Sequence, residues 1–395
     1  MVTTLMARRS VTPASPKATM RRTQPETQGD SVGCCLNRSV ITTYKEASVH
    51  RMKESCTLTE FGIKPEFPIS LRHPLQGPAG NLIKRFYPYG FAVDVNTNSA
   101  AVLEMLDNIW LRFTARFQKP AIECEIIVTA SDHTRLPPEP RYHIRLPFLT
   151  TICDGDNFSI VDLDRGAVRT QITEAALHHR NFVSYFLLPT AISALCTLYV
   201  TPIHGACVCW NGCGILLGGE CGVGKSTLAY FCAKSGWTYT TDDASFLLDH
   251  ETGRQVTGNC HQARLRPEAS VFFPEIENVK VTAHAKGQPS VEISMGSTNE
   301  VSTSPTAEVS YIVFLNRSHA APAGMRAFSR AKARDLLCSR LYGTPDQLRV
   351  KYQAVERLLS VPIYELCYRT LPEAVHFMRA LAEESHDGSR VAATE

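Results

Sequence analysis

Acidic residues are missing from the start of this chain, and charge of either sign is missing from part of its middle. No Asp or Glu precedes Glu26, whereas Arg, Ser, Thr and Pro are frequent there. A segment so poor in apolar side chains cannot bury enough surface to fold, so residues 1–67 are expected to be a disordered leader, with a composition that organellar transit peptides share. From Asn181 through Gly219 there is no Asp, Glu, Lys or Arg. That gap invites a membrane helix, but Pro189, several Ser and Thr, and strand-like sequence after His204 interrupt it. A spanning helix needs about 20 mainly apolar residues in a row. No membrane partner is expected, and the chain reads as cytoplasmic. None of the 14 cysteines stands in a CxxC pair, and Cys207, Cys209 and Cys213 do not match the common zinc spacings. Without a secretory signal in front of them they read as reduced, mostly buried thiols. A net charge of +3 over 395 residues gives no basic surface of the kind nucleic acid needs, so no nucleic-acid partner is expected.

What remains is the composition of an ordinary globular chain, 44% hydrophobic and 20% charged, long enough for two domains. Regular patterning begins past residue 67. "RFYPYGFAVDV", Arg85–Val95, reads as a strand, and Ser99 as the cap of a helix over "SAAVLEMLDNIWLRFTARF", where Val102, Leu103, Leu106, Ile109 and Trp110 recur at helical spacing. "IECEIIVTA" and "YHIRLPFL" read as strands, and "NFSIVDLDRGAVRTQIT" as a hairpin turning at Asp164-Arg165-Gly166. A helix from about Glu174 leads into the uncharged stretch. Residues 68–200 are thus expected to form a smaller α+β domain, without a catalytic constellation of their own.

The second half opens on two apolar runs, Ala206–Trp210 and Gly214–Leu217, flanking Asn211-Gly212, the strongest short hairpin signal in the chain. A glycine-rich loop and a helix through Ala233 follow, then "GWTYTTDDASFLL", a strand interrupted by two aspartates. "NVKVTAHAKGQPSVEIS" reads as a hairpin, "MGSTNEVSTSPTAE" as a mobile Ser/Thr-rich loop, and "EVSYIVFLNR" as a buried strand. Amphipathic helices between about Ser329 and Leu359, the strand "VPIYELCY" and the helix "LPEAVHFMRALAEE" complete an α/β domain with a mixed sheet over residues 201–385. Residues 386–395 are expected as a disordered tail.

The loop carries the chemistry. Gly219-Glu220-Cys221-Gly222-Val223-Gly224-Lys225-Ser226 satisfies G-x-x-x-x-G-K-[ST], with a strand before it and a helix after it, as a phosphate-binding P-loop requires. Its backbone must curl so that successive N–H groups converge on phosphate oxygens, in conformations a Cβ would block. Lys225 then reaches the β- and γ-phosphates of ATP, Ser226 offers its hydroxyl to Mg²⁺, and the helix adds its dipole, with Thr227 continuing the nucleotide contact. Phosphoryl transfer also needs a carboxylate for the metal or for the acceptor's proton. Asp242 and Asp243, on the next strand, supply the pair. Neighbouring strand residues face opposite ways, so Asp242 is assigned as the proton-accepting group and Asp243 as a partner of the metal or of Lys225. Arg264 and Arg266 are candidate phosphate contacts because guanidinium forks suit phosphate; Arg317, after the buried strand, is a weaker one.

"HG" at His204, a hairpin, "GxGKS", a helix and "DD", in that order and spacing, resemble the catalytic domain of HPr kinase/phosphorylase, which phosphorylates a serine of the sugar-transport carrier HPr. The resemblance spans about Ile203 to Leu248. It implies an HPr kinase/PEP carboxykinase-like P-loop fold and active-site roles for His204, Lys225, Asp242 and Asp243. Thr227 departs from the family, whose loop typically continues with an acidic residue, and "GNCHQARLRPEA" stands where a later glycine- and arginine-containing signature is expected. The resemblance implies an ATP- and Mg-dependent kinase acting on a protein serine or a small-molecule hydroxyl. A nucleotide-binding regulatory module without turnover is the alternative. A relative of phosphoenolpyruvate carboxykinase is disfavoured, since nothing resembles that enzyme's substrate and metal residues. HPr kinases form rings, so a homo-oligomer is the assembly the resemblance allows.

Overall fold

A computed structural model describes residues 80–391 apart from 133, 250–251, 284–288, 297–300 and 318–321; the leader read over 1–67 lies outside the described residues. The first sheet holds seven strands: β1 (Leu82–Phe86), β2 (Val93–Thr97), β3 (Ile122–Thr129), β4 (Arg141–Arg145), β5 (Phe148–Ile152), β6 (Phe158–Asp162) and β7 (Ala167–Thr173). Their spatial order is β1-β2-β3-β7-β6-β5-β4. β2, β3 and β7 run parallel, and the remaining pairs are antiparallel. The helix Ala100–Trp110 supplies the crossover that the parallel pair β2–β3 needs. It buries Val102, Leu106 and Trp110 against Val93, Val95 and Ile126.

Four local expectations change here. Arg85–Val95 is two antiparallel strands, not one, because Pro88 opens a turn in which Tyr89 (φ 54°) and Gly90 (φ 94°) leave the extended region. Ser99 occupies the N-cap position, but its side chain makes no capping hydrogen bond, and the helix stops at Trp110. "YHIRLPFL" folds back on itself as β4 and β5, since Pro147 has no N–H to give a continuing ladder. The helix expected from Glu174 is two: Glu174–Leu177, where Thr173 Oγ1 accepts from Ala176 N at 3.3 Å, and Arg180–Leu198. Among the described residues no helix is long and apolar enough to cross a membrane.

The second, nine-stranded sheet begins with β8 (Val200–His204), β9 (Ala206–Trp210) and β10 (Cys213–Gly218). It continues with β11 (Thr238–Thr241), β12 (Ala244–Leu248) and β13 (Gln255–Thr257). A three-stranded sheet of β14 (Gln262–Leu265), β15 (Val281–Ala283) and β16 (Pro289–Ser294) stands apart, in the order β14-β16-β15. β17 (Thr306–Asn316), β18 (Gly324–Ala327) and β19 (Ile363–Cys367) complete the large sheet. β10, β17 and β19 are parallel, and β9 returns antiparallel to β10. Asn211 (φ 48°) and Gly212 (φ 87°) turn the β9–β10 hairpin, the paired positive φ that a two-residue type I′ loop demands. Alternation along β10 and β17 sorts the core onto two faces. Ile215, Leu217, Val313 and Leu315 pack under the helices Lys225–Lys234 and Leu371–Val391. Leu216, Ile312 and Phe314 pack under Arg330–Cys338 and Pro345–Leu358. The architecture is α/β with mixed sheets.

Residues 297–300 of the Ser/Thr-rich loop lie outside the described residues, but its end is anchored. Tyr239 N donates to Ser302 O and Ser304 N to Tyr239 O, both at 2.9 Å, which satisfies backbone groups of the edge strand β11. The last helix runs to Val391, so 386–391, read as tail, are helical, there being no proline to stop the Ala- and Glu-rich run; residues 392–395 lie outside the described residues.

One buried charge lies away from any cleft. Lys351, 3% exposed, donates to Tyr342 O at 2.6 Å and stands 4.8 Å from the centre of that ring. Burial lowers its ammonium from 10.5 to about 8, with nearby Cys196 opposing the shift. Between those values the unfolded chain holds more protons than the folded one, so this group's contribution to stability rises with pH from about 8 to 10.5. The expected size is on the order of 3 kcal/mol. Urea unfolding at several pH values should show that rise in wild type minus Lys351→Met; a flat difference would count against it.

Candidate active site

Two pairs of strands form one long antiparallel ribbon with a break in its middle. β9 pairs with β11 and β8 with β12, and the ribbon steps between them at His204-Gly205 on one side and Asp242-Asp243 on the other. Gly205 N donates to Asp243 O at 3.0 Å across the step. A Cβ on Gly205 would lie 2.8 Å from Leu217 O, which is why a glycine follows the histidine. The aspartates sit in this bend, between strands and not on one. The break throws His204 and Asp243 out together, and His204 Nδ1 lies 3.4 Å from Asp243 Oδ1.

β10 delivers the loop. Its last residue, Gly218, packs so closely on Phe314 that a Cβ would meet the ring at 2.6 Å. Gly219, Gly222 and Gly224 then take φ of 133°, 84° and 103°, the curl foreseen from the motif. The helix Lys225–Lys234 starts at once, pointing its unpaired N–H groups and positive dipole end at the loop. Lys225, 5% exposed, donates to Gly219 O and Glu220 O at 2.9 Å each. Ser226 Oγ donates to Asp242 O at 3.2 Å. His204 Nε2 and Arg340 Nη2 flank Cys221 Sγ at 3.7 and 3.9 Å.

Loop and break border one cleft of about 270 Å³, lined by His204, Cys221, Gly222, Gly224, Lys225, Ser226, Thr227, Asp243, Arg264, Arg266 and Arg317, among others. Gly219, Glu220, Val223 and Asp242 are not among the lining residues. Gly219 shapes the curl and Glu220 offers its carbonyl to Lys225. Asp242 is turned away. It is 6% exposed, and its Oδ2 accepts Arg264 N at 2.9 Å, tying β14 to the large sheet. Burial, and after it the Asp243 charge, push its carboxyl up to about 7, against the pull of Arg264. Arg264 also pairs with Glu292. Leu265, Glu268, Phe272, Pro289 and Ser290 line the same cleft, none of them marked by a motif, because they reach it from β14, β16 and the turn after β14 by tertiary folding alone. Arg340 was equally invisible, coming from the turn after the helix Arg330–Cys338.

Among the described residues no group of three or more His, Cys, Asp or Glu could hold a metal ion by itself. A hydroxyl and a carboxylate beside the curled loop are nevertheless donors of the kind magnesium takes when it is bound through one or two carboxylates plus substrate phosphates. Ser226 and Asp243 lie on that cleft.

Over 85 residues, 20% of this chain, the sequence is 38% identical to the HPr kinase/phosphorylase of Clostridium beijerinckii. The match spans 28% of that relative's length, so the chain is HPr kinase-like, in divergent form, over a limited stretch. No family model matches. The Hpr(Ser) kinase/phosphatase from Coxiella burnetii aligns at 12% identity and a TM-score of 0.30, covering 48% of this chain and 96% of that one, a likeness too loose to bear on fold or function.

Proposed function

We propose that this chain is an ATP- and magnesium-dependent phosphotransferase that transfers the terminal phosphoryl group to a hydroxyl of a protein or small molecule. The observation that supports this reading is the meeting, in one cleft, of the curled loop with Lys225 and the His204–Asp243 pair. Loop N–H groups hold the phosphates, and Lys225 leaves its own loop's carbonyls for the β- and γ-phosphate oxygens. Ser226 and Asp243 would hold magnesium, which when bound supplies charge neutralisation on the transferring group. The acceptor oxygen forms its bond to the terminal phosphorus as the bond to the ADP oxygen breaks. The acceptor's proton passes to the His204–Asp243 pair, which faces the cleft beside the loop. Asp242, assigned from the sequence as the proton acceptor, instead positions Arg264 through the strand it anchors, and Arg264 and Arg266 offer guanidinium groups to the developing negative charge.

The relative's name includes HPr, so a carrier-protein serine is the first acceptor class to test, followed by small-molecule hydroxyls. ATP use and the absence of a membrane helix among the described residues agree with work in the cytoplasm. Purified chain, terminally labelled ATP, magnesium, and either HPr or fractionated extract should give a labelled acceptor and ADP in equal amounts. Tight ATP binding with neither product would support the second reading, a regulatory nucleotide-binding module, which the Thr227 departure motivates.

A further inference from the structure

Beside the main cleft lies a second, smaller cavity with about 20 Å³ of interior room, lined by Gly224, Thr227, Phe272, Arg317, Tyr368, Arg369 and Leu371. Gly224, Thr227, Phe272 and Arg317 line both spaces, so the two form one trough across the start of the helix Lys225–Lys234. His204 and Asp243 belong to one end, Tyr368 and Leu371 to the other. A P-loop fixes the direction of its ligand: the lysine takes the terminal phosphates, and the loop amides continue to the α-phosphate. With the terminal phosphate directed to His204 and Asp243, the α-phosphate comes to the Gly224–Thr227 side, and whatever it carries enters the second cavity.

We propose that this cavity is the nucleoside end of the site, and that Phe272 and Arg317 hold the base by its faces. The proposal rests on the phosphate-loop reading above. Phe272 is 48% exposed, beside Val271 at 81%, so a large aromatic ring stands on the lip of the trough in water. Arg317 follows β17, and its guanidinium lies 6.0 Å from the Tyr368 ring centre; both groups stack on flat π systems. The interior is far too small to enclose a base, which therefore rests at the mouth. No Asn or Gln, the side chains that pair bidentately with an adenine edge, lines the cavity. The Tyr368 hydroxyl lies against the loop, 3.3 Å from where a Gly224 Cβ would stand. The grip proposed is stacking, which accepts either purine because every base has a π-face.

Calorimetry with ATP, GTP and inorganic tripolyphosphate, on the full chain and on Phe272→Ala and Arg317→Ala, tests this. ATP and GTP should bind within about threefold of each other. Each variant should weaken both by about 5- to 20-fold while leaving tripolyphosphate unchanged within about twofold, the size expected for loss of one stacking partner. Unchanged ATP affinity in both variants, equal losses for ATP and tripolyphosphate, or a more than tenfold preference between ATP and GTP would each overturn it. If wild type binds tripolyphosphate as tightly as ATP, the phosphate loop stands and the nucleoside site falls. If it binds none of the three, the phosphate-loop reading falls and takes this proposal with it.

Discussion

Lys225→Ala should weaken ATP binding about 100-fold or more and reduce phosphoryl transfer by about 1000-fold, because it removes the buried ammonium at the centre of the loop. The side chain is 5% exposed and its Nζ donates to the loop carbonyls of Gly219 and Glu220. Its loss leaves the core of β10 and the following helix intact, so circular dichroism should match wild type. Lys225→Arg is an informative companion, since it keeps the charge but brings a planar fork into a space shaped for a compact ammonium. It should recover part of the binding and little of the transfer. Wild-type ATP affinity in Lys225→Ala, measured by calorimetry, would remove the triphosphate from the site altogether.

The second large effect belongs to Asp243. Asp243→Asn should cut transfer by about 100- to 10,000-fold, the range for loss of a group that manages a proton or a metal, while metal-free ATP binding changes by less than about threefold. Asp242→Asn gives the internal contrast. That carboxyl faces the protein and holds Arg264 N, and an asparagine oxygen can accept the same bond, so its transfer rate should fall by no more than about tenfold. Single-turnover rates for the two variants decide the matter. Were Asp242→Asn the more damaging change, the roles assigned to the two aspartates would have to be exchanged.

Much of the second half was legible because its signals are local. Asn211-Gly212 needed only two positive φ values to define a hairpin, the β17 run needed only burial on both faces, and the loop glycines announced their own conformations. The first half was harder for the same reason in reverse. Pro88 and Pro147 each turn a stretch that its hydrophobic pattern alone reads as a single strand, and alternation does not say whether the chain continues or doubles back. A shared site for His204 and the two aspartates could be expected from the motif order, but the broken ribbon that sets His204 beside Asp243 could not. It depends on β8 and β12 meeting in register, a contact between distant parts of the sequence. That the two aspartates face opposite ways could be expected from alternation, but which of them lines the cleft could not, because the pair lies in a bend where the ribbon steps. Phe272 and Tyr368 carried no local mark at all, one sitting after a short 3₁₀ turn and the other just past a strand end.

The resting place of the Lys225 ammonium, on the carbonyls of Gly219 and Glu220, has a consequence for how a ligand arrives. The cation is a tenant that keeps the curl inflated, so the ring of amides is prepared in advance and little ordering is left for the moment of capture. Under the proposed function, an arriving phosphate would have only to draw one flexible side chain away from those carbonyls.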